Sequence, residues 1–329
     1  MDTTPNHNLR VYSDITQLIA SPENPTPLVR LNRVNPNNGF TIYMKLERVN
    51  PFGSVKDRIV LRMLKELDID GRKLVEPTSG NTGLAMAGIA NAMGIPVEIV
   101  VPDRVPEEKK ILLRLLGAEL LEADDALCPL YPSEGARGVV NSLVTSPRTK
   151  DSYISPNQYE NELNVLAHYE GTGPEIWRQT EGKVDYFFAG LGTCGTITGV
   201  GRYLKEQNPG IKIIAVEPAS SDQGLPGMKR VSDLSEEYAP KILDRGLIDE
   251  TITVSNEDAY RTAIELARKD GIPVGPTTGA ILHAALVYGA AHEGLAVVIS
   301  PDDAFKYTSI YKDWVATEAA AGIAGAESH

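Results

Sequence analysis

The sequence predicts an α/β protein with two three-layer α/β domains, each built on a mostly parallel, twisted sheet. Strand-like and helix-like segments alternate in two separate runs, the first over residues 73–122 and the second over residues 184–217. Such alternation favours parallel sheets that are covered by helices on both faces. A chain of 329 residues, 42% of them hydrophobic, is long enough for two units of this kind.

The first run predicts a smaller N-terminal domain over residues 46–155. Short apolar stretches in this run have strand length, and the longer stretches show helical periodicity. The predicted elements are a strand at 73–75, a helix at 84–93, a strand at 96–102, a helix at 107–116, a strand at 118–122 and a helix at 133–143.

The second run predicts a larger domain that combines residues 13–45 and 156–316. Its predicted strands are 41–47, 184–189, 211–217, 250–254 and 296–300, and its predicted helices are 197–206, 256–270 and 281–293. Residues 225–243 show no regular pattern. The final segment, 317–329, is mostly Ala, Gly and Glu, and we predict a loose tail there.

The composition and net charge of the chain argue against several kinds of partner and site. A net charge of −12 argues against nucleic acid or an anionic membrane as a partner, so any bound anion must be held by local features. Cys128 and Cys194 are too few for a disulfide framework, and no metal site is expected. No apolar run approaches about 18 residues, and the chain starts with polar residues, so we predict a cytoplasmic protein.

Lys56 is the first candidate for chemistry. It follows the turn Asn50–Gly53 and precedes the apolar run 59–64, which places it at the start of a helix. The partial positive charge of a helix start disfavours protonation of a lysine, and a neutral lysine amine can form a Schiff base with a carbonyl group. A solvated surface lysine is the alternative. A second polar turn, Glu76–Gly83, follows about twenty residues later.

A glycine loop, Gly190, Gly192 and Gly195, lies between a predicted strand and a predicted helix, with Glu217 at the end of the next strand. This pattern is typical of a dinucleotide site, in which the acidic residue binds a ribose. It equally suits another phosphate, because backbone N–H groups and a helix start hold the phosphate in both cases. The loop by itself therefore does not decide between NAD and another ligand that carries a phosphate.

Taken together, the Lys56 stretch and the turn Thr78–Gly83 resemble the fold-type II pyridoxal phosphate enzymes, in the cysteine synthase and cystathionine β-synthase branch. The resemblance runs from about Pro25 to Trp314 and implies a fold like that of the tryptophan synthase β-subunit. It implies that pyridoxal 5′-phosphate is the cofactor and that Lys56 is its attachment point and the catalytic base. The other implied cofactor-binding residues are Asn81, Gly192, Thr193, Cys194, Gly195, Thr196 and Thr277. The implied substrate-binding residues are Thr78, Ser79, Gly80, Asn81, Thr82, Gln158, Gly224 and Arg230.

Within the branch, the segment Gly224–Arg230 is most similar to the isozyme-B cysteine synthases. The implied reaction replaces the β-substituent of O-acetylserine or O-phosphoserine with sulfide or thiosulfate, giving L-cysteine. Condensation of serine with homocysteine, as in cystathionine β-synthase, and serine or threonine dehydration are the alternatives within the family. From other classes, an NAD-binding Rossmann protein and a non-catalytic pyridoxal phosphate binder remain open.

Three side chains near the implied site have two interpretations each. We interpret His168 as a structural hydrogen-bonding residue rather than a base, and Cys194 as a small space-filling substitute for glycine rather than a reactive thiol. Arg230, with Lys229, lies either in solvent or at the mouth of the cleft, where a guanidinium pairs with a phosphate or thiosulfate. The implied partners are a small amino acid and a sulfur donor, with the chain as a homodimer. A serine acetyltransferase partner is left open.

Overall fold

A computed structural model describes residues 11–78, 80–103, 105, 107–124, 135–221 and 224–326, with side chains described as far as residue 317. Ser79 and Cys128 therefore lie outside the described residues. The described residues form one sheet of six strands and one sheet of four strands.

The larger sheet has the strand order β1-β2-β10-β7-β8-β9. Its strands are β1 (Leu28–Arg30), β2 (Phe40–Leu46), β7 (Tyr186–Gly190), β8 (Lys212–Pro218), β9 (Glu250–Val254) and β10 (Gly294–Ser300). Every neighbouring pair is parallel except β1 and β2. Strand β10 is paired on both sides, which explains its unbroken apolar run over 295–299.

The smaller sheet has the order β5-β4-β3-β6 and is parallel throughout. Its strands are β3 (Lys73–Pro77), β4 (Val97–Pro102), β5 (Glu119–Ala123) and β6 (Tyr153–Ile154). The predicted fold class, α/β with mostly parallel sheets, is therefore confirmed. The strands of each sheet fall inside the ranges predicted for the two domains, except that β2 runs one residue past the predicted boundary, to Leu46. The domain boundaries themselves stay a prediction.

Helices cover the two sheets. They are α1 (Lys56–Glu66), α2 (Asn81–Ala92), α3 (Glu107–Leu115), α4 (Gly135–Thr145), α5 (Glu162–Ala167), α6 (Gly173–Gln179), α7 (Gly195–Gln207), α8 (Asn256–Asp270), α9 (Pro276–Gly289) and α10 (Thr308–Ala326). None of the helices in the described ranges is long and apolar enough to cross a membrane.

Several helices differ from the sequence prediction: α2 begins three residues early, and α5 and α6 were not predicted. The differences at α9 and α10 have identifiable physical causes. Helix α9 begins at Pro276, five residues before the predicted start, because proline is pre-organised for the first position of a helix. Helix α10 continues to Ala326, through most of the segment predicted as a loose tail. Alanine and glutamate are strong helix formers, so a helix that is already started by the Thr308 segment extends through them.

A cluster of four buried charged side chains joins α1 to the larger sheet. Arg58 places Nε 2.6 Å from Oε2 of Glu47 and Nη1 2.5 Å from Oε1 of Glu175. Lys45 places Nζ 2.6 Å from the other carboxylate oxygen of Glu175. Burial alone would raise the pKa of Glu47, but the charges of Arg58 and Lys45 bring it down to about 2. Two cations thus balance two anions in the interior.

We predict that Arg58→Met lowers the free energy of unfolding by about 3–5 kcal/mol, because two buried carboxylates lose their partner. Denaturant unfolding measures this loss. The matched control is Arg62→Met, one turn along the same helix, where the pairs with Glu66 and Glu170 are exposed. That change should cost about 1 kcal/mol or less. Equal losses in the two variants would contradict a special role for the buried cluster.

Candidate active site

The segment that follows β10 connects the starts of three helices. Pro301 accepts a hydrogen bond from the N–H of Val55, the residue before Lys56, at 2.9 Å. Asp302 accepts from the Asn81 amide through Oδ2 at 2.6 Å, and its backbone carbonyl accepts from the N–H of Gly275 at 3.5 Å. The first residues of α1, α2 and α9 therefore meet at the carboxyl edge of β10.

A second set of contacts adds the start of α7 to this group. The Asn164 amide nitrogen donates to the carbonyl of Gln158 at 2.7 Å and to Oγ1 of Thr193 at 3.3 Å. Thr82 in turn donates its hydroxyl to Oε1 of Gln158 at 2.8 Å. The glycine loop before α7 is thus linked through Gln158 to the first turn of α2.

The N-cap residues of α2, α7 and α9 are Gly80, Cys194 and Gly275, and these three make no side-chain hydrogen bond to their helices. The first N–H groups of such helices are left to water or to a ligand, and the helix dipole favours an anion there. In α9 only the N–H of Thr277 is left, because Pro276 has none and the N–H of Thr278 donates to the carbonyl of Gly275 at 3.0 Å. The open helix starts account for how a chain of net charge −12 can hold anionic groups at one site.

Lys56 is the first residue of α1 and is half-buried. Burial lowers the pKa of its amine to about 8, although the nearby carboxyl of Asp302 opposes this shift. The helix start supplies a further positive potential. A measurable fraction of the amine is therefore neutral near neutral pH, as nucleophilic attack and proton abstraction require.

The amide of Asn81 is fixed in one orientation. Its oxygen accepts from Nζ of Lys306 at 3.0 Å, and its nitrogen donates to Asp302. Lys306 also donates to the carbonyls of Phe52 and Gly53, in the turn that precedes Lys56, at 3.1 and 2.7 Å. The amide also hydrogen-bonds the hydroxyl of Tyr307, so three side chains hold it in place.

Sequence reasoning gave Lys306 and Asp302 no role in the site. The one available signal was their position just after the last strand of a parallel sheet, where ligand sites gather.

The side chain of Asp302 is buried between Asn81 and Gly275. A Cβ atom on Gly275 would lie 2.1 Å from Oδ1 of Asp302, so glycine is required there. Oδ1 has no hydrogen-bond partner among the described residues, and burial raises the pKa of this carboxyl. A buried polar atom without a partner points to a missing ligand or water.

The glycine loop before α7 is closely packed from behind. A Cβ on Gly192 would lie 2.4 Å from the carbonyl oxygen of Gly227, and one on Gly195 would lie 1.9 Å from Oδ1 of Asn164. Neither position has room for a side chain, so the loop requires glycine at both. This cradle, together with the uncapped helix start, fits the phosphate of the cofactor that the resemblance implies.

Cys194 adopts a left-handed backbone conformation, with φ of 71° and ψ of 0°. Glycine, the residue usual in this family, carries no strain in that region, whereas a side chain does. The thiol is buried, and burial raises its pKa to about 12, so it stays protonated and unreactive. These features favour the space-filling interpretation.

Thr277 donates its hydroxyl to the carbonyl of Pro226 at 2.9 Å, which joins the start of α9 to the segment predicted to face the substrate. In that segment, Gly224 packs against α8, where Tyr260 donates to its carbonyl at 2.9 Å. The guanidinium of Arg230 has its Nε 2.9 Å from Asp233 and donates to the carbonyl of Ala219. The guanidinium of Arg230 is thus already engaged by Asp233 and Ala219, and a substrate-binding role for it stays a prediction.

Glu217, the acidic residue of the dinucleotide pattern, is buried and accepts hydrogen bonds from the N–H and hydroxyl of Ser232. Its carboxylate is thus already used inside the protein and is not presented to a ribose. The described residues also hold no group of three or more His, Cys, Asp or Glu side chains that could bind a metal.

We predict that the amine of Lys56 reacts with pyridoxal at a rate that rises with pH through a midpoint near 8. Only the neutral amine attacks an aldehyde, and the neutral fraction grows as pH passes the pKa. Stopped-flow absorbance of the full-length protein freed of cofactor measures this rate, with Lys56→Ala as the control. A midpoint near 10.5, the ordinary value, would contradict the buried environment described for Lys56.

Comparisons with known proteins establish the family of the chain. The pattern of the family described as pyridoxal-phosphate dependent enzymes matches residues 19–302. A cysteine synthase from Aquifex aeolicus is 40% identical over 88% of this chain and 90% of its own length. Cysteine synthase B of Salmonella typhimurium is 38% identical over 87% of this chain and 93% of its own length. The solved cysteine synthase of Entamoeba histolytica superposes with a TM-score of 0.82 at 31% identity, over 95% of this chain and 94% of that one. The chain therefore belongs to the pyridoxal-phosphate-dependent enzymes.

Proposed function

We propose that this protein is a cysteine synthase, which replaces the β-substituent of O-acetylserine or O-phosphoserine with sulfide or thiosulfate to give L-cysteine. The observation that carries the proposal is a lysine of lowered pKa at a helix start, within a site whose other helix starts are open to anions. Relatives named cysteine synthase at 40% and 38% identity over most of the chain support the choice of reaction.

Pyridoxal phosphate, when bound, supplies an electron-withdrawing ring that makes the α-proton of an amino acid acidic and lets its β-substituent leave. The residues proposed to hold it are Lys56 through its amine, Asn81, Thr277, and the loop residues Gly192, Thr193, Cys194, Gly195 and Thr196. The loop offers backbone N–H groups and hydroxyls to the phosphate.

Lys56 is the proposed general base. Its amine takes the α-proton of the substrate and can return a proton later in the cycle. A base with a pKa of about 8 is suited to both steps, because near neutral pH it can both accept and release a proton at a small cost in free energy.

The proposed substrate site is the first turn of α2 with the turn before it, Thr78–Thr82, together with Gln158. Thr82 and Gln158 are buried and hydrogen-bonded to each other, which fixes both before a substrate binds. A carboxylate at this helix start accepts N–H and hydroxyl hydrogen bonds, and it is also favoured by the helix dipole. Holding the carboxylate there orients the α-carbon toward Lys56.

Thr277 supports β-replacement over other reactions of the family. A hydroxyl at this position carries no negative charge, so it cannot hold a ring nitrogen protonated as a carboxylate would. Thr277 would therefore leave a bound pyridoxal ring a weaker electron sink than a carboxylate would, which would favour loss of the β-substituent over transamination.

Two cations are candidates for binding an anionic leaving group or sulfur donor. The ammonium of Lys229 lies 4.3 Å from the ring centroid of Tyr159, the neighbour of Gln158 in the chain. Arg230 is already paired with Asp233, so an anion would compete with that carboxylate. We therefore propose Lys229 alongside Arg230 as a specificity-determining residue at the mouth of the cleft. We also propose that the enzyme is a cytoplasmic homodimer.

The test is a matrix of substrates: O-acetylserine, O-phosphoserine and serine, each with sulfide, thiosulfate and homocysteine. We predict cysteine from O-acetylserine or O-phosphoserine with sulfide, and no product with Lys56→Ala. Cystathionine from serine and homocysteine as the main product would instead assign the chain to the alternative condensation, and pyruvate as the main product would assign it to dehydration.

In the same matrix, Lys229→Ala and Arg230→Ala separate the two cations. A lost ion pair in a partly closed cleft should lower kcat/KM by about 30-fold for O-phosphoserine or thiosulfate. The pair of O-acetylserine and sulfide, which carries neither a phosphate nor a thiosulfate group, should change little. Equal losses on every pair would show that the side chain is merely structural.

A further inference from the structure

His168 lies behind the glycine loop, at the start of a π-helical turn, His168–Thr172, between α5 and α6. Its ring is buried, and both ring nitrogens face threonine hydroxyls. Nδ1 lies 2.9 Å from Oγ1 of Thr172, and Nε2 lies 3.1 Å from Oγ1 of Thr196. Thr196 belongs to the first turn of α7 and is itself only half-buried.

Helix packing brings these groups together. A Cβ on Gly199 would lie 2.3 Å from the carbonyl oxygen of Val165 and 2.7 Å from Cβ of His168, so α7 touches the backbone of the His168 segment directly. Residues three apart share one face of a helix, and Thr196 is three residues before Gly199. The close contact therefore positions the Thr196 hydroxyl against the imidazole.

The imidazole is neutral in the folded protein. Burial, with the nearby charge of Arg58, lowers its pKa to about 3. A neutral imidazole has one N–H and one lone pair on its ring nitrogens. One of the two threonine hydroxyls therefore accepts a hydrogen bond from the ring, and the other donates one to it. Two arrangements result, and they differ in what Thr196 can offer to a ligand.

In one arrangement, Nε2 donates to Thr196, and Thr172 donates to Nδ1. The hydroxyl proton of Thr196 is then available to the glycine loop. In the reverse arrangement, that proton is directed at Nε2, and Thr196 offers lone pairs only. A phosphate accepts hydrogen bonds and repels lone pairs, so it requires the first arrangement.

We propose that Thr172, His168 and Thr196 form a relay of hydrogen bonds that turns the Thr196 hydroxyl into a donor for the phosphate of the cofactor. His168 is thus a positioning residue, which acts through Thr196 and not on the substrate. The inference rests on the proposed placement of the cofactor phosphate at the loop Gly192–Thr196. It specifies that Nε2 of His168 donates to the Thr196 hydroxyl, which goes beyond the general hydrogen-bonding role that the sequence predicts.

The test compares two substitutions, His168→Gln and His168→Asn, in which the amide nitrogen replaces only one of the two ring nitrogens. The nitrogen of a glutamine amide falls near the position of Nε2, and that of an asparagine amide falls near Nδ1. Full-length protein freed of cofactor is titrated with pyridoxal phosphate and with pyridoxal, which lacks the phosphate, and the dissociation constants are measured by absorbance and fluorescence.

We expect His168→Asn to weaken pyridoxal phosphate binding by about tenfold, because Thr196 loses the Nε2–H donor that directs its own hydroxyl proton to the phosphate, and the net contribution of one hydrogen bond corresponds to a factor of this order. His168→Gln should retain most of the affinity, and pyridoxal binding should be unchanged in both variants. His283→Asn is the matched control, since His283 also contacts a threonine, with Nδ1 3.3 Å from Oγ1 of Thr262, on helices away from the loop. It should bind both ligands normally.

Thr196→Val and the double variant His168→Asn/Thr196→Val distinguish a relay from two separate effects. If His168 acts through Thr196, the double variant binds pyridoxal phosphate no more weakly than Thr196→Val alone. Multiplied losses, or equal losses for pyridoxal, would overturn the relay. Normal pyridoxal phosphate binding by Thr196→Val would also overturn the relay, while it would leave standing the proposed placement of the phosphate at the backbone N–H groups of the loop.

A measurement on the unaltered protein does not depend on how the variants fold. The nitrogen-15 resonances of the His168 ring report which nitrogen carries the proton. With pyridoxal phosphate bound, we expect the proton on Nε2. A proton on Nδ1 in the same complex would overturn the proposal.

Discussion

The site depends on how Arg58 holds α1 between two buried carboxylates. Glu47 follows β2, and Glu175 belongs to α6, so the guanidinium fixes the first turn of α1 against the larger sheet. Lys56 is two residues before Arg58, and its amine takes its position from that turn. The arrangement tolerates no single loss, because removing one partner leaves a buried charge that the interior cannot solvate. A hydrophobic contact would pack α1 equally well, but it would not specify the rotation of the helix about its axis with the same directional bonds.

Around that lysine, the fold brings together helix starts rather than positively charged side chains. An anionic cofactor and an anionic amino acid must bind to a protein that carries an excess of twelve negative charges. The uncapped starts of α2, α7 and α9 supply fixed N–H donors for this purpose, and the parallel sheets place them at the carboxyl edges of the strands. Asp302 and Lys306 complete the arrangement by fixing the amide of Asn81 from both ends. Donors that are held rigidly before binding lose little entropy when the ligand arrives.

Much of the fold and the centre of the site follow from local sequence. The alternation of strands and helices indicates the two parallel sheets, and the Lys56 and Gly192–Thr196 stretches are recognisable because their neighbours in sequence define them. The remaining parts depend on contacts between distant segments. Asp302 meets Asn81 across 221 positions, and Lys306 meets it across 225, so no local pattern indicates either bond. Lys45 and Glu47 lie in an alternating stretch, in which charged residues are expected on the solvent-exposed face. Charged residues are so rarely buried that the sequence gives little reason to place them in the interior. The early start of α9 was detectable, since Pro276 follows Gly275 in the pattern of a helix beginning.

The central claim is that Lys56, placed by this framework, is the residue that binds the cofactor covalently. Borohydride reduction of the purified protein with pyridoxal phosphate bound, followed by proteolysis and mass spectrometry of the peptides, identifies the modified lysine. The account predicts a single pyridoxyl group, on Lys56, formed in one equivalent per chain. Modification mainly at another lysine of the site, such as Lys306 or Lys229, with Lys56 left unmodified, would contradict it.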